Sequence, residues 1–372
     1  YPPGPDGTVI DAVIAIVASD GAVVGGARPH LVSSGSPGDS LIINDAIDFG
    51  TLAPGRYEFV LVPGGAGDAE DPAKRLGSGA FLITNGSLDA LRTENERRIQ
   101  SLSPETPALA QAVTAVTARN ALLTTTPDPA NTAQLVLDLT RIVNEVDREI
   151  EMIKSGTDPY TGRKGDNWTT IASPVSDFPA RVYLPESADT SSPLPLLIAF
   201  HGAGGDENMF MDAYGVGAIK RVAERHGMLL VTPLTYAFNA NTGEQYDALM
   251  DALTRLYPID ADQIYTIGHS MGGGAVTALI NARGEQLAAA VALCGFRPLL
   301  SESVPPTLVV AAELDPIASP ARIEPFAQQA IDKGLPVEYR LVPHYGHTVI
   351  VGDYVDDAVE WMLDQTQPVR SR

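Results

Sequence analysis

Cysteine is almost absent from this chain of 372 residues. Cys294 is the single one, so no disulfide can close within the chain and its redox compartment stays open. Histidine is scarce as well, six in all, too few and too scattered to suggest a zinc site, and neither a metal nor another cofactor is expected. Only five of the 25 basic residues are lysine, against 46 acidic ones, giving a net charge of −21. Such a surface repels phosphate backbones and anionic membranes, which argues against nucleic acid or a membrane as partner. Long apolar runs are lacking too: Val9 to Val17 is broken by Asp11 and falls far short of the roughly 18 residues that mark a membrane span. No segment repeats with the period of a propeller or solenoid.

What is present is the composition of a globular protein, 44% hydrophobic and 19% charged, long enough for one sizeable domain and a smaller one. An aspartate-rich, lysine-poor balance suits a salty or marine habitat, where hydrated carboxylates keep a protein soluble, and suits an ordinary acidic bacterial protein equally well. The first residue is Tyr1, from which removal of an N-terminal segment is expected, and a secreted or periplasmic location is favoured slightly over a cytoplasmic one. The oligomeric state is open.

The hydrophobic period changes twice along the chain. Residues 1–86 read as β-structure, with alternation at Val13 to Val17 and over Arg56 to Leu61, entered through the turn Leu52, Ala53, Pro54, Gly55. This module resembles small immunoglobulin-like or carboxypeptidase-regulatory-like β-sandwiches and is a candidate contact for carbohydrate or polymer. Residues 87–155 read as helical, near Leu88 to Leu102, Ala108 to Leu123, and a stripe of Leu135, Leu139, Ile142, Val143, Val146, Ile150 and Ile153, with Arg148 and Glu149 off it. Packing is favoured over capping as the role of these helices. Over 156–372 strands and helices alternate, which gives an α/β class with a mainly parallel sheet of eight strands that opens on an antiparallel hairpin. Its strands are expected near Trp168 to Ala172, Ala180 to Leu184, Leu194 to Phe200, Met228 to Thr232, Gln263 to Ile267, Ala288 to Leu293, Thr307 to Ala312 and Val337 to Val342. Its helices are expected near Asn208 to Arg225, Glu244 to Leu256, Met271 to Ala282, Ala321 to Lys333 and Gly352 to Asp364.

Between a strand and a helix stands Gly268, His269, Ser270, Met271, Gly272, the G-x-S-x-G form of a nucleophile elbow. A serine hydroxyl needs a base, and the base needs a group that fixes its tautomer. Asp315 follows the strand ending at Ala312 and is the expected acid, with Glu313 as the alternative. His347 follows the last strand and is the expected base, while His344 in the same loop is placed at the mouth of the site. An oxyanion needs main-chain donors, each typically worth about 3 kcal/mol of barrier. Those expected are the amides of Met271 and of Ala203, with Gly202 as an alternative, in the glycine loop His201 to Gly205. His201 is expected to brace that loop, and Met209, Phe210, Met211, Tyr214, Tyr236 and Phe238 are candidates for lining a pocket.

Together these positions resemble the α/β-hydrolase fold over residues 166–372, and Asp260 to Gly273 looks like the polyhydroxybutyrate-depolymerase and feruloyl-esterase-like carboxylesterases. The resemblance implies ester hydrolysis through an acyl-enzyme on Ser270, with a small-molecule or polymer-linked ester as substrate. The short segment Cys294 to Pro306, where many lipases carry a lid, points to short-chain or aryl esters, feruloyl and acetyl esters of polysaccharides among them. Polyester depolymerisation and a prolyl-oligopeptidase-like peptidase are the alternatives, the second weakened by the missing repeats.

Overall fold

The computed structural model describes residues 12–27, 31–32, 42–43, 52–63, 65–84, 86–124, 139–238 and 241–365. Leu135, the first residue of the expected helical stripe, lies outside them. Contacts divide the chain into two compact units, residues 1–95, 123–125 and 137–145, and residues 96–122, 126–136 and 146–372. The helical segment 87–155 is thus shared between them.

In the first unit, β1 (Ala12–Ala18), β2 (Val23–Ala27), β5 (Gly55–Pro63) and β6 (Gly77–Ile83) form an antiparallel sheet in the order β2-β1-β5-β6. Period-two alternation sends Val13, Ala15, Val17, Val60 and Val62 to one face, where Ala69 of a short 3-10 turn completes a small core. Tyr57, Phe59 and Phe81 stack on the other face, with ring centroids 5.6 and 4.3 Å apart. Strands β3 (Leu31–Val32) and β4 (Ile42–Ile43) pair as a separate ribbon. A sandwich is expected from the sequence, but among the described residues it is the 3-10 turn that covers the valine face.

The second unit is built on eight strands: β7 (Gly165–Ile171), β8 (Phe178–Leu184), β9 (Leu194–Phe200), β10 (Leu229–Pro233), β11 (Ile259–His269), β12 (Ala289–Leu293), β13 (Thr307–Ala312) and β14 (Val337–Val342). They lie in the order β7-β8-β10-β9-β11-β12-β13-β14, with β8 antiparallel to both neighbours and all other pairs parallel. Central strands are apolar on both sides because helices cover both faces. Leu196, Ile198 and Phe200 of β9 point to the side of α5 (Thr242–Leu256), α6 (Met271–Arg283) and α7 (Pro320–Asp332). Leu197 and Ala199 point to the side of α4 (Ala218–His226) and α8 (Val349–Leu363).

Two sequence expectations change. The continuous helix expected from Asn208 to Arg225 is interrupted: a wide π-type turn over Met209–Ala213 gives way to left-handed glycines at 215 (φ 55°) and 217 (φ 67°), and α4 starts only at Ala218. A side chain at 217 would bring its Cβ within 2.3 Å of the Met211 carbonyl, so the break is fixed by close backbone approach as well as by φ. The second concerns Glu149 on α3 (Leu139–Lys154), which the stripe pattern places on the polar side. It is fully buried. Its Oε2 accepts from Arg119 Nε (3.1 Å) and Tyr160 Oη (2.7 Å), and its Oε1 from Arg163 (3.1 Å). Arg119 belongs to α2 (Pro107–Ala121), a helix started by the Thr106 side chain accepting from Leu109 N and by Pro107 in its first turn. Helical periodicity records one element at a time, so it cannot show that the partner of a stray acid arrives from thirty residues upstream.

Candidate active site

Ser270 sits where β11 ends and α6 begins, at φ 56° and ψ −113°. A non-glycine residue there is strained by about 1–3 kcal/mol, and such strain persists only where neighbours enforce it. Here Ser270 N donates to Leu293 O of β12 (2.8 Å) and Gly274 N donates to Ser270 O (3.2 Å). The glycines are required by space. A Cβ at 268 would lie 2.2 Å from Gly272 O, one at 272 would lie 1.9 Å from Phe200 O, and one at 295 would lie 2.0 Å from Ser270 O. The first two are motif positions; Gly295 arrives from the next strand and gives no signal in the sequence.

Chain ends of β13 and β14 supply the partners. His347 Nε2 lies 2.9 Å from Ser270 Oγ and its Nδ1 2.6 Å from Asp315 Oδ2. Asp315 Oδ1 accepts from the amides of Ile317 (2.8 Å) and Ala318 (2.9 Å). Burial pushes the Asp315 carboxyl up, but the imidazole and those two N–H donors outweigh it and hold it below the usual aspartate range. Glu313, the alternative acid, accepts from His344 N instead (2.9 Å), and the exposed His344 ring lies against it.

The elbow at the carboxyl edge of the sheet, with the strand order and the single antiparallel strand β8, decides the architecture. This unit has the α/β-hydrolase fold. In this unit the loop after β9 is tied down residue by residue. His201 is buried, its Nε2 accepting from Thr235 N (2.9 Å) and its Nδ1 lying 2.8 Å from Gly202 O, so both ring nitrogens are spent on bracing. Gly202 N–H points to the Tyr214 hydroxyl (3.4 Å), Gly204 N–H to the Tyr236 hydroxyl (2.8 Å), and Gly205 N–H to Gly202 O (3.3 Å). Among the described residues the amides of Ala203 and Met271 carry no partner within the protein, the state in which an incoming oxyanion needs them.

The other expected pocket residues separate by burial. Tyr236 is exposed with its ring edge on His201, Met209 lies over Gly205, and Phe210, Met211, Tyr214 and Phe238 are core. His269 and Tyr214 are both buried and bonded to each other at 2.7 Å; motif reading gives His269 no role and Tyr214 only a pocket-lining one. Cys294, Asp315 and His347 bring their ligating atoms within 4.8 Å of one another, the one His/Cys/Asp/Glu group of metal-binding type among the described residues. Burial, with the Asp315 charge beside it, pushes the Cys294 thiol up to about 12, so it stands as a protonated neighbour of the carboxylate. Among the described residues no helix is long and apolar enough to cross a membrane.

No protein-family model and no curated relative matches the sequence. Among solved structures the chain is similar to a thermostable esterase, at 23% identity and TM-score 0.45 over 54% of this chain and 63% of that one. It is also similar to S-formylglutathione hydrolase from Staphylococcus aureus, at 20% identity and TM-score 0.46 over 54% and 99% of the two chains. A third is the feruloyl esterase module from Clostridium thermocellum complexed with sinapinate, at 17% and TM-score 0.47 over 57% and 92%. The fold rests on strand order and elbow geometry, not on these likenesses.

Proposed function

We propose that the chain is a serine hydrolase of carboxylic esters. The observation that carries the reading is the continuous hydrogen-bonded line from Ser270 through His347 to Asp315, at 2.9 and 2.6 Å, beside two unengaged amides. His347 takes the Ser270 proton as the hydroxyl oxygen attacks the ester carbonyl. The carbonyl oxygen, now anionic, is held by Ala203 N–H and Met271 N–H. His347 then gives its proton to the departing alcohol, leaving an acyl-serine that a water molecule, deprotonated by the same ring, hydrolyses.

Short acyl or aryl esters are the substrate class we favour. The connection between β12 and β13 forms no helix, and the apolar side chains left exposed beside the machinery are few. They are Leu314 and Ile317 flanking Asp315, Val349 two residues past His347, and Tyr236, which follows β10 and bonds to the oxyanion loop at Gly204 N. The test is a panel of p-nitrophenyl esters of rising chain length, a feruloyl ester, acetylated xylan, a polyester and a prolyl peptide substrate, on wild type and Ser270→Ala. Rates should fall from acetate or butyrate towards long chains and vanish in Ser270→Ala, as should labelling by a fluorophosphonate. Undiminished turnover by Ser270→Ala would refute the mechanism, and a rise towards long chains would refute the substrate class.

A further inference from the structure

Acylation needs three separately encoded parts in register: the loop over residues 201–205, the elbow, and the loop that carries His347. One side chain belongs to the second, bonds directly to the third, and reaches the first through the Tyr214 hydroxyl. His269, the residue before the nucleophile, is buried at the end of β11, with Nε2 2.8 Å from the main-chain carbonyl of His347 and Nδ1 2.7 Å from the Tyr214 hydroxyl. A carbonyl only accepts, so Nε2 carries the proton and donates. Nδ1 is then the acceptor, and the Tyr214 O–H donates to it. The Tyr214 oxygen in turn faces Gly202 N–H at 3.4 Å. The broken segment over residues 209–217, which replaces the continuous helix the sequence suggests, delivers Tyr214 to this point.

We infer that His269 and Tyr214 form a positioning relay that fixes the main chain of the base-bearing loop against the oxyanion loop, and that turnover depends on the His269 donor to His347 O. The inference rests on the proposed hydrolase reading. The loop backbone is packed directly on the relay: a Cβ at 202 would lie 2.9 Å from His269 Nδ1 and 3.3 Å from the Tyr214 hydroxyl. Asp315 fixes the rotation of the His347 ring through Nδ1 and Leu314 N–H holds the Tyr345 carbonyl (2.9 Å), but neither bonds the main chain of His347 itself. The bond from His269 supplies the missing constraint. Burial, then the adjacent His347, holds the His269 ring's pKa down to about 4, so a neutral ring faces the imidazolium that forms 4.6 Å away, centroid to centroid.

The experiment separates the two bonds. Glutamine places an amide nitrogen where Nε2 stood and keeps a donor for His347 O, whereas asparagine places its amide at Nδ1, keeps an acceptor for Tyr214 and loses the donor. A displacement of about 1 Å at a reacting group costs about 10²-fold. His269→Asn is therefore expected to lower kcat about 10²-fold with KM within about twofold, and to slow fluorophosphonate labelling in parallel. His269→Gln should recover kcat to within about tenfold of wild type, and Tyr214→Phe should fall between the two. Thermal midpoints are measured on every variant. Equal kcat in the Asn and Gln variants, or a loss that follows the thermal midpoint rather than the donor retained, overturns the relay. Labelling of wild type but not of Ser270→Ala checks the hydrolase reading separately, so either idea can fail without the other.

Discussion

Replacing Asp315 by asparagine tests the electrostatics of the site with almost no change of shape. In the folded protein Oδ1 accepts from two main-chain amides, Ile317 N at 2.8 Å and Ala318 N at 2.9 Å, while Oδ2 faces His347 Nδ1 at 2.6 Å. An asparagine must keep its single oxygen towards the two amides, since an NH2 group there would meet two donors. The NH2 is then aimed at Nδ1, which has to become an acceptor, and the imidazole proton moves to Nε2. A protonated Nε2 faces Ser270 Oγ and cannot take its proton. Losing the correct tautomer in a serine triad costs about 10⁴-fold in kcat, or about 5 kcal/mol of barrier. Stability should fall by only about 1–2 kcal/mol, because both main-chain bonds survive. Steady-state kinetics on p-nitrophenyl butyrate, alongside a denaturant titration, measure both quantities. A variant within tenfold of wild type would refute the reasoning, and so would a larger loss in Glu313→Gln, which keeps an acceptor for His344 N and removes only the charge beside the exposed His344 ring.

Elsewhere the buried ions give predictions of stability. Arg119→Ala leaves Glu149 buried with Tyr160 and Arg163 and exposes the carbonyl of Trp168 to loss of its guanidinium donor, so a denaturant titration should show about 3–5 kcal/mol of destabilisation. An Arg119→Ala variant within about 1 kcal/mol of wild type would contradict this account. Glu207 is buried, which lifts its carboxyl above the usual glutamate range although Trp168 Nε1–H donates to it at 2.7 Å. A raised folded-state pKa means stability present at low pH is lost as pH climbs through that pKa. Glu207→Gln keeps the acceptor for Trp168, so its thermal midpoint should exceed wild type at pH 8 and the gain should fade towards pH of about 4. A lower midpoint at pH 8 would count against it.

Local pattern and chain order were enough to name the residues that the fold brings together at the elbow. The apolar runs of β9, β11 and β13 gave the sheet, and G-x-S-x-G together with acid and histidine in loops after later strands gave Ser270, Asp315 and His347, because each catalytic group hangs on the carboxyl end of its own strand. Asp315 was expected over Glu313, and in the folded chain Glu313 binds the main chain of His344, where φ is 66°, while Asp315 reaches the His347 ring. Other features needed three dimensions from the outset. Glu149 is a polar residue off a stripe until Arg119 meets it, and Tyr214 is one more aromatic until two left-handed glycines aim its hydroxyl at His269. Periodicity reports only which way a residue faces its own element. Pairings between distant segments are set by the packing of those elements, so Ser270, Asp315 and His347 could be named from the sequence as the proposed triad, whereas what holds them in place could not.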